Sequence, residues 1–266
     1  MTEIPRDRYG RPLIAPPDGG EPVAYTRAST LAKALDDLNN LMSWQQRKVV
    51  QGLIARPDLI TRASGVLANG DPDTDWPTKR GLNGVCTEAR EAAGASRGAS
   101  AGTGFHALTE AVDRGETLPW VPDADRERLD AYREATANLR PLAAETFVVV
   151  DSLRVAGSFD RLWEDLERGA IVVGDLKTGK SEADYPMATS IQLAIYAHGK
   201  VYDPETGERT PLHPNLCRDY GLLVHLPPSG GCRVIPLDLA RGWQAAQLAA
   251  QVRDLRALKA DGWRVA

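Results

Sequence analysis

The stretch that follows Pro141 sets the strongest constraint on this fold. Three runs rich in β-branched residues, at 146–150, 155–163 and 170–175, succeed one another with only short polar or Gly-containing turns between them. Parallel neighbours need a crossover of a dozen or more residues, so runs this close read as consecutive antiparallel strands. A chain with such a meander at its centre must cover the sheet with whatever flanks it.

The flanks read as helical. From Ser29, a residue suited to an N-cap, Leu31, Leu35, Leu38, Leu41 and Trp44 recur near helical spacing, and Val49, Val50, Leu53 and Ile54 extend the pattern into two or three packed helices. Residues 71–78 form a Pro- and Asp-containing loop, after which 84–93, 97–114 and 123–140 read as helices, the last opening at Pro122-Asp123. Beyond the meander come a helix over 187–201, strands at 220–226 and 232–237 joined through Pro227-Pro228-Ser229-Gly230-Gly231, and a closing helix over 239–258. Low complexity is confined to the small-residue run 94–104, and no fixed-period repeat is visible. The expected organisation is a flexible Pro/Gly-rich segment over 1–24 and a single domain over 25–266, helical across 25–142 and built on a sheet across 143–266.

Charge and cysteine usage narrow the function classes. A formal net charge of −4 excludes a protein that coats nucleic acid by neutralising many phosphates, though not one that grips it through a local groove. Cys86, Cys217 and Cys232 are too scattered for a zinc or iron–sulfur site and read as reduced thiols. The longest apolar stretch, 170–173, is far short of the ~20 residues of a membrane helix, and residues 1–18 lack a secretory h-region. A cytoplasmic protein with no membrane partner is expected.

The chemistry concentrates in Gly157-Ser158-Phe159-Asp160-Arg161 and, on the next strand, Asp175-Leu176-Lys177-Thr178-Gly179-Lys180. Asp175 and Lys177 are two apart, so the pleat sends both side chains to one face and Leu176 to the other. Two carboxylates from neighbouring strands can hold Mg²⁺ or Mn²⁺, which would polarise a phosphodiester and activate water, and Lys177 would orient that water or stabilise the developing charge. Alone, an Asp-x-Lys triplet at a strand end is better described as an exposed pair before a turn. The helix that follows carries Gln192 and Tyr196 at i and i+4, on one face. His106 and Glu110 likewise share a face upstream.

Taken together, Gly157 to Asp160, Asp175 to Gly179, Gln192 to Tyr196 and the helical His106 resemble the RecB-like branch of the PD-(D/E)xK nucleases. The resemblance covers roughly residues 100–200, with a looser echo at Thr26-Arg27-Ala28-Ser29-Thr30 and Trp44. It implies an α/β fold: a restriction-endonuclease-like core of mixed central sheet flanked by helices, with the N-terminal helical region forming one wall of a DNA groove. It further implies that His106, Asp160 and Asp175 bind the metal, that Lys177 assists the water, and that Gln192 and Tyr196 position DNA or the lysine. Glu145 sits where many relatives carry a Glu before the Gly-x-x-Asp strand, and Glu110 is a further candidate. Cluster-bearing relatives use four cysteines and are excluded by the three here.

The activity so implied is that of a metal-dependent DNA exonuclease of phage or bacterial recombination or repair, acting in the cytoplasm, that of the host if phage-encoded. DNA is the expected partner; a single-strand annealing or other recombination protein and a homo-oligomer are the further candidates. An endonuclease using the same site, and a catalytically silent DNA-binding or scaffolding member of the fold, are the rival readings. Arg154, Arg161, Lys180, Lys79, Arg80 and Arg97 are candidate phosphate contacts, and Trp76, Trp120 and Trp163 candidate stacking surfaces.

Overall fold

The structure is a computed structural model that describes residues 3–264, apart from the side chains of residues 99–101. The chain divides into two units, residues 37–104 and residues 1–36 with 105–266, the boundary falling inside one helix between Gly104 and Phe105.

Residues 37–104 hold α2 (Asn39–Ala55), α3 (Asp58–Leu67), α4 (Trp76–Ala92) and the start of α5 (Arg97–Asp113). Leu59, Val85 and Ala89 form a small buried core. Gly52 makes it possible: a Cβ there would lie 1.7 Å from the Ala89 carbonyl oxygen, so only glycine lets α2 approach α4 this closely. Helix α4 starts well before the expected 84, inside the stretch read as a loop. Asp75 caps it by accepting from the Thr78 amide, and Pro77 occupies the first turn, where its missing N–H costs nothing.

The other unit is built on an eight-stranded mixed sheet. Its strands are β3 (Thr26–Arg27), β4 (Leu139–Val150), β5 (Val155–Asp165), β6 (Ala170–Lys177), β7 (Lys200–Tyr202), β8 (Arg209–Pro211), β9 (Tyr220–His225) and β10 (Arg233–Asp238). The order is β10-β9-β6-β5-β4-β7-β8, with β3 paired in parallel to β5. As expected, β4, β5 and β6 form an antiparallel meander. The parallel contact of β6 with β9 makes the sheet mixed and requires the crossover through α7 (Met187–Ala197).

Helix α7, α1 (Ala28–Ala32) and α8 (Leu239–Ala257) supply the core on one side with Ile191, Ile195, Leu31 and Ala246 against Val173, Phe159 and Leu223. Phe105 of α5, with Leu129 and Tyr132 of α6 (Asp123–Ala135), supplies the other against Trp163, Val172, Leu176 and Val224. The alternation of Val172 with Val173 and of Leu222 with Leu223 between the two cores is the period-two pleat of a sheet covered on both faces. No helix among the described residues is long and apolar enough to cross a membrane. All three cysteines are free and half-buried.

Two further expectations are corrected. The helix over 123–140 ends at Ala135, because Leu139 to Pro141 pair with Asp165 to Trp163 as the start of β4, Pro141 being tolerated at a register shift. The helix over 187–201 ends at Ala197, and Val201 enters β7 against Val148. Gly199 permits the turn, since a Cβ there would meet Val148 at 3.0 Å. Within the N-terminal segment, β1 (Leu13–Ile14) pairs with β2 (Val23–Ala24), and Ile14 is fully buried with Tyr25 and Tyr202. The Asp151 carboxylate fixes this edge by accepting from Tyr25 Oη and Arg209. Met1 and Thr2 of that segment lie outside the described residues.

Candidate active site

The site arises where the meander opens. The β5/β6 ladder runs from Asp165↔Ala170 to Arg161↔Gly174 and stops, and the pair next in register is Asp160 with Asp175. In the β4/β5 ladder Ala144 faces Arg161 and Thr146 faces Phe159, but the intervening pair, Glu145 with Asp160, is missing. Glu145, Asp160 and Asp175 therefore stand in one row across three adjacent strands, and both ladders are interrupted at that row. Glu145 adopts φ +46°, a left-handed conformation that costs a non-glycine residue of order 1–2 kcal/mol. Like charges directly opposite one another in a sheet repel, so the strands here carry both backbone strain and charge repulsion.

Each carboxylate has its own holding contacts. Asp160 Oδ2 accepts from the Leu176 amide at 2.9 Å, replacing the strand partner that this N–H has lost. Asp175 is 1% exposed; Gln192 Nε2 donates to its Oδ1 at 3.3 Å and to Tyr196 Oη at 3.0 Å. Lys177 Nζ lies 2.6 Å from Asp175 Oδ2 as an ion pair off the hydrogen-bonding angle, so this buried oxygen has no well-aligned donor among the described residues. Leu176 points into the opposite core, as the pleat requires. Gln192 and Tyr196 do share a helix face, and Tyr196 is further held edge-on to Phe159.

Helix α5 brings His106 to the row, its Nδ1 3.4 Å from Asp160 Oδ2. His106, Glu145 and Asp160 each offer a ligand atom within 4.8 Å of the others. Glu145 thus joins the possible ligand group, whereas Asp175 is engaged by Lys177 and Gln192. Glu110 lies one turn on, held by Arg114 at 3.1 Å and 3.7 Å from Arg161.

The electrostatics follow from burial and crowding. Burial pushes the Asp160 carboxyl up, against the opposing pull of the Leu176 amide and Lys177. Asp175 is pushed up by burial and by Asp160, with Lys177 opposing. The Glu145 carboxyl is pushed up to about 7 by desolvation and by the charges of Asp160 and Glu110; because its side chain still reaches solvent, screening tempers this. Burial would lower Lys177, but the carboxylates of Asp175, Asp160 and Glu182 together outweigh it and keep the ammonium charged. His106 is lowered by burial more than Asp175 raises it, leaving a neutral imidazole with a lone pair to give. Crowded carboxylates, a neutral histidine and an oxygen lacking a donor are a donor set that fits a hard divalent cation.

Residues around the row complete the picture. Arg161 is no phosphate contact: it is 1% exposed and donates from Nε to Asp113 at 2.6 Å and from Nη2 to Thr109 at 3.2 Å. Tyr132 Oη also donates to Asp113, at 2.9 Å. His106, Thr109, Glu110 and Asp113 recur at helical spacing, so one stripe of α5 is fastened to β5 by this arginine. That polar stripe was the available sequence signal for Thr109 and Asp113. Trp163 is core rather than a stacking surface, while Trp76 and Trp120 are exposed.

Residues 85–203 match the family model of the PD-(D/E)XK nuclease superfamily. No curated protein matches the chain. The matched span contains the carboxylate row, His106, Lys177, Gln192 and Tyr196, so the similarity to the PD-(D/E)XK nuclease superfamily and the geometry of the site meet in the same residues.

Proposed function

We propose that the protein is a metal-dependent DNA exonuclease serving phage or bacterial recombination or repair. The observation that carries the nuclease chemistry is the row of Glu145, Asp160 and Asp175 with His106 at one end and the charged Lys177 beside it. The exonuclease assignment follows the resemblance to RecB-like relatives.

Asp160, His106 and Glu145, with Asp175 one strand over, hold the cation, Mg²⁺ or Mn²⁺. When bound, the cation supplies a Lewis acid for the scissile phosphate and lowers the pKa of water so that it attacks near neutral pH. Lys177 remains an ammonium and so donates hydrogen bonds, orienting the attacking water and offsetting the negative charge that grows on the phosphorus oxygens. Gln192 fixes the rotamer of Asp175, Tyr196 fixes Gln192, and Arg161 keeps α5 seated so that His106 meets Asp160.

Digestion of linear end-labelled duplex DNA beside a closed circle, with Mg²⁺, Mn²⁺ or chelator, tests this. Metal-dependent loss of the linear substrate alone, reduced about 10²–10³-fold in Lys177→Ala as for other lost oxyanion donors, is the expected result. Nicking of the circle would replace the exonuclease by an endonuclease; no cleavage under any metal would overturn the catalytic reading.

A further inference from the structure

Far from the carboxylate row lies a cavity of about 710 Å³, bordered by Thr26, Ser152, Arg154, Gln251, Arg253 and Asp254 where the start of β5 meets the last turns of α8. Val155 borders it too, and Asp160 follows five residues further along the same strand, roughly 17 Å away. Arg154, a candidate phosphate contact from its place in the sequence, therefore lies at the opposite end of β5 from the row.

A 3₁₀ turn over Asp151–Leu153 ends on Arg154 at φ +49°, and Glu145 and Arg154 are the non-glycine residues in left-handed backbone among the described residues. Glycine would hold that conformation without strain, so the arginine is set there against the local backbone preference. Its carbonyl accepts from the Thr26 amide at 2.8 Å, and Arg253 Nη2 donates to Thr26 Oγ1 at 3.2 Å, so the two arginines meet at Thr26. Neither forms an ion pair among the described residues. The carboxylate of Asp151, which also borders the cavity, is taken by Arg209 and Tyr25. The remaining acid, Asp254, is likewise in no ion pair among the described residues, and it shares a face of α8 with Gln251 at i and i+3.

Two cationic forks without a counter-charge, beside a carboxylate and an amide, suit a ligand that is anionic in one part and rich in hydroxyls in another. The planar guanidinium matches phosphate oxygens. An acidic side chain accepts from sugar hydroxyls, as it does from a ribose hydroxyl in dinucleotide sites. The volume falls within the ~300–1,000 Å³ of small-ligand sites. We infer that Arg154 and Arg253, with Gln251 and Asp254, form a binding site for a small phosphate monoester that carries a polyol, the class that holds nucleotides and sugar phosphates. No residue of the carboxylate row borders the cavity, so the site stands whether or not the chain cleaves DNA.

Isothermal titration of the full chain in chelator, with 5′-dAMP, glucose 6-phosphate and inorganic phosphate as probes, tests this. At least one ester should bind saturably and more tightly than inorganic phosphate. Tighter binding of 5′-dAMP assigns a nucleotide, and would link the site to the product of the proposed nuclease; tighter binding of glucose 6-phosphate assigns a sugar phosphate. Arg253→Gln should weaken the ester about tenfold, as for a lost hydrogen bond to a charged group. Arg154→Gly should weaken it as much without lowering the melting temperature of the ligand-free protein, because glycine relieves the left-handed backbone. A variant that keeps its stability and loses its ligand cannot be explained by misfolding. Asp254→Asn should weaken the ester but not inorganic phosphate, and Lys177→Ala, at the row, should bind as the wild type does. The site would be overturned by the absence of saturable binding, by wild-type affinity in Arg154→Gly, or by inorganic phosphate binding as tightly as both esters. Binding lost in Lys177→Ala and kept in Arg154→Gly would equally overturn it, by moving the ligand to the carboxylate row.

Discussion

Asp160 and Arg161 are consecutive residues of β5, and both reach α5, yet they sit in opposite electrostatic circumstances. Around Arg161 every charge is answered: Asp113, Thr109 and Tyr132 close a buried network on the guanidinium. Around Asp160 the charges compete, with Glu145 and Asp175 on either side and Lys177 paired to only one of them. The first arrangement holds two elements in register. The second crowds like charges that a bound cation would relieve, which on the proposed function separates a structural cluster from a reactive one within one strand.

Breaking the satisfied cluster should give the largest change. Arg161→Met leaves Asp113 with the Tyr132 hydroxyl but without its counter-charge, and Thr109 without the guanidinium; loss of one partner of such a buried pair costs about 3–5 kcal/mol. Urea unfolding should show that loss, together with weaker cation binding as α5 and His106 loosen. Arg161→Met combined with Asp113→Leu should recover much of the stability, because no uncompensated charge remains. A single variant as stable as the wild type would mean that the network does not fasten α5 to the sheet.

Breaking the unsatisfied row should act with opposite signs on activity and stability. Asp160→Asn keeps an oxygen for the Leu176 amide but removes one of the crowded charges. Cleavage should fall about 10²–10³-fold, the scale of lost electrostatic stabilisation at a reacting centre, while the metal-free protein melts at a higher temperature. A lower melting temperature would show that Asp160 is not repelled by its neighbours.

Much of this contrast was legible in the sequence, but only where it is local. Asp175, Lys177, Gln192 and Tyr196 lie on single elements, so period-two and i,i+4 rules place them, and the structure brings them together. The row itself was not legible, because Glu145 joins Asp160 only once the register of two strands is fixed. For the same reason Arg161 could pass for a phosphate contact: burial is a property of the packed sheet, not of the motif. The helix expected over 187–201 ends at Ala197 because pairing with β4, a long-range contact, takes Val201 into a strand. The early start of α4, in contrast, was written locally in Asp75 and Pro77.

The pH dependence sharpens the comparison further. Glu145 is held near 7 in the folded protein, above the value of about 4.3 for a free glutamate. Between these two values the unfolded chain binds fewer protons at this residue, so the contribution of Glu145 to the stability of the metal-free protein is fullest below about 4.3 and is lost as pH rises through about 7. A cation favours the ionised row and reverses the trend. The rise in melting temperature on adding Mg²⁺ should therefore grow from pH 5.5 to pH 8. A metal-induced shift independent of pH would remove Glu145 from the cation's surroundings.

The smallest effect should come from Tyr196→Phe, two contacts away from the row. The ring and its edge-on packing against Phe159 persist, and only the acceptor of the Gln192 bond is lost. Such a bond contributes about 1 kcal/mol net, so a fall in kcat of several-fold with little change in melting temperature is expected. Gln192 would still reach Asp175, but from a wider set of rotamers, so the loss enters through the orientation of Asp175 and not through its charge. Combining Tyr196→Phe with Gln192→Ala decides this: if Tyr196 acts only through Gln192, the double variant should be no slower than Gln192→Ala alone, whereas additive losses would assign the tyrosine hydroxyl a separate contact with the substrate.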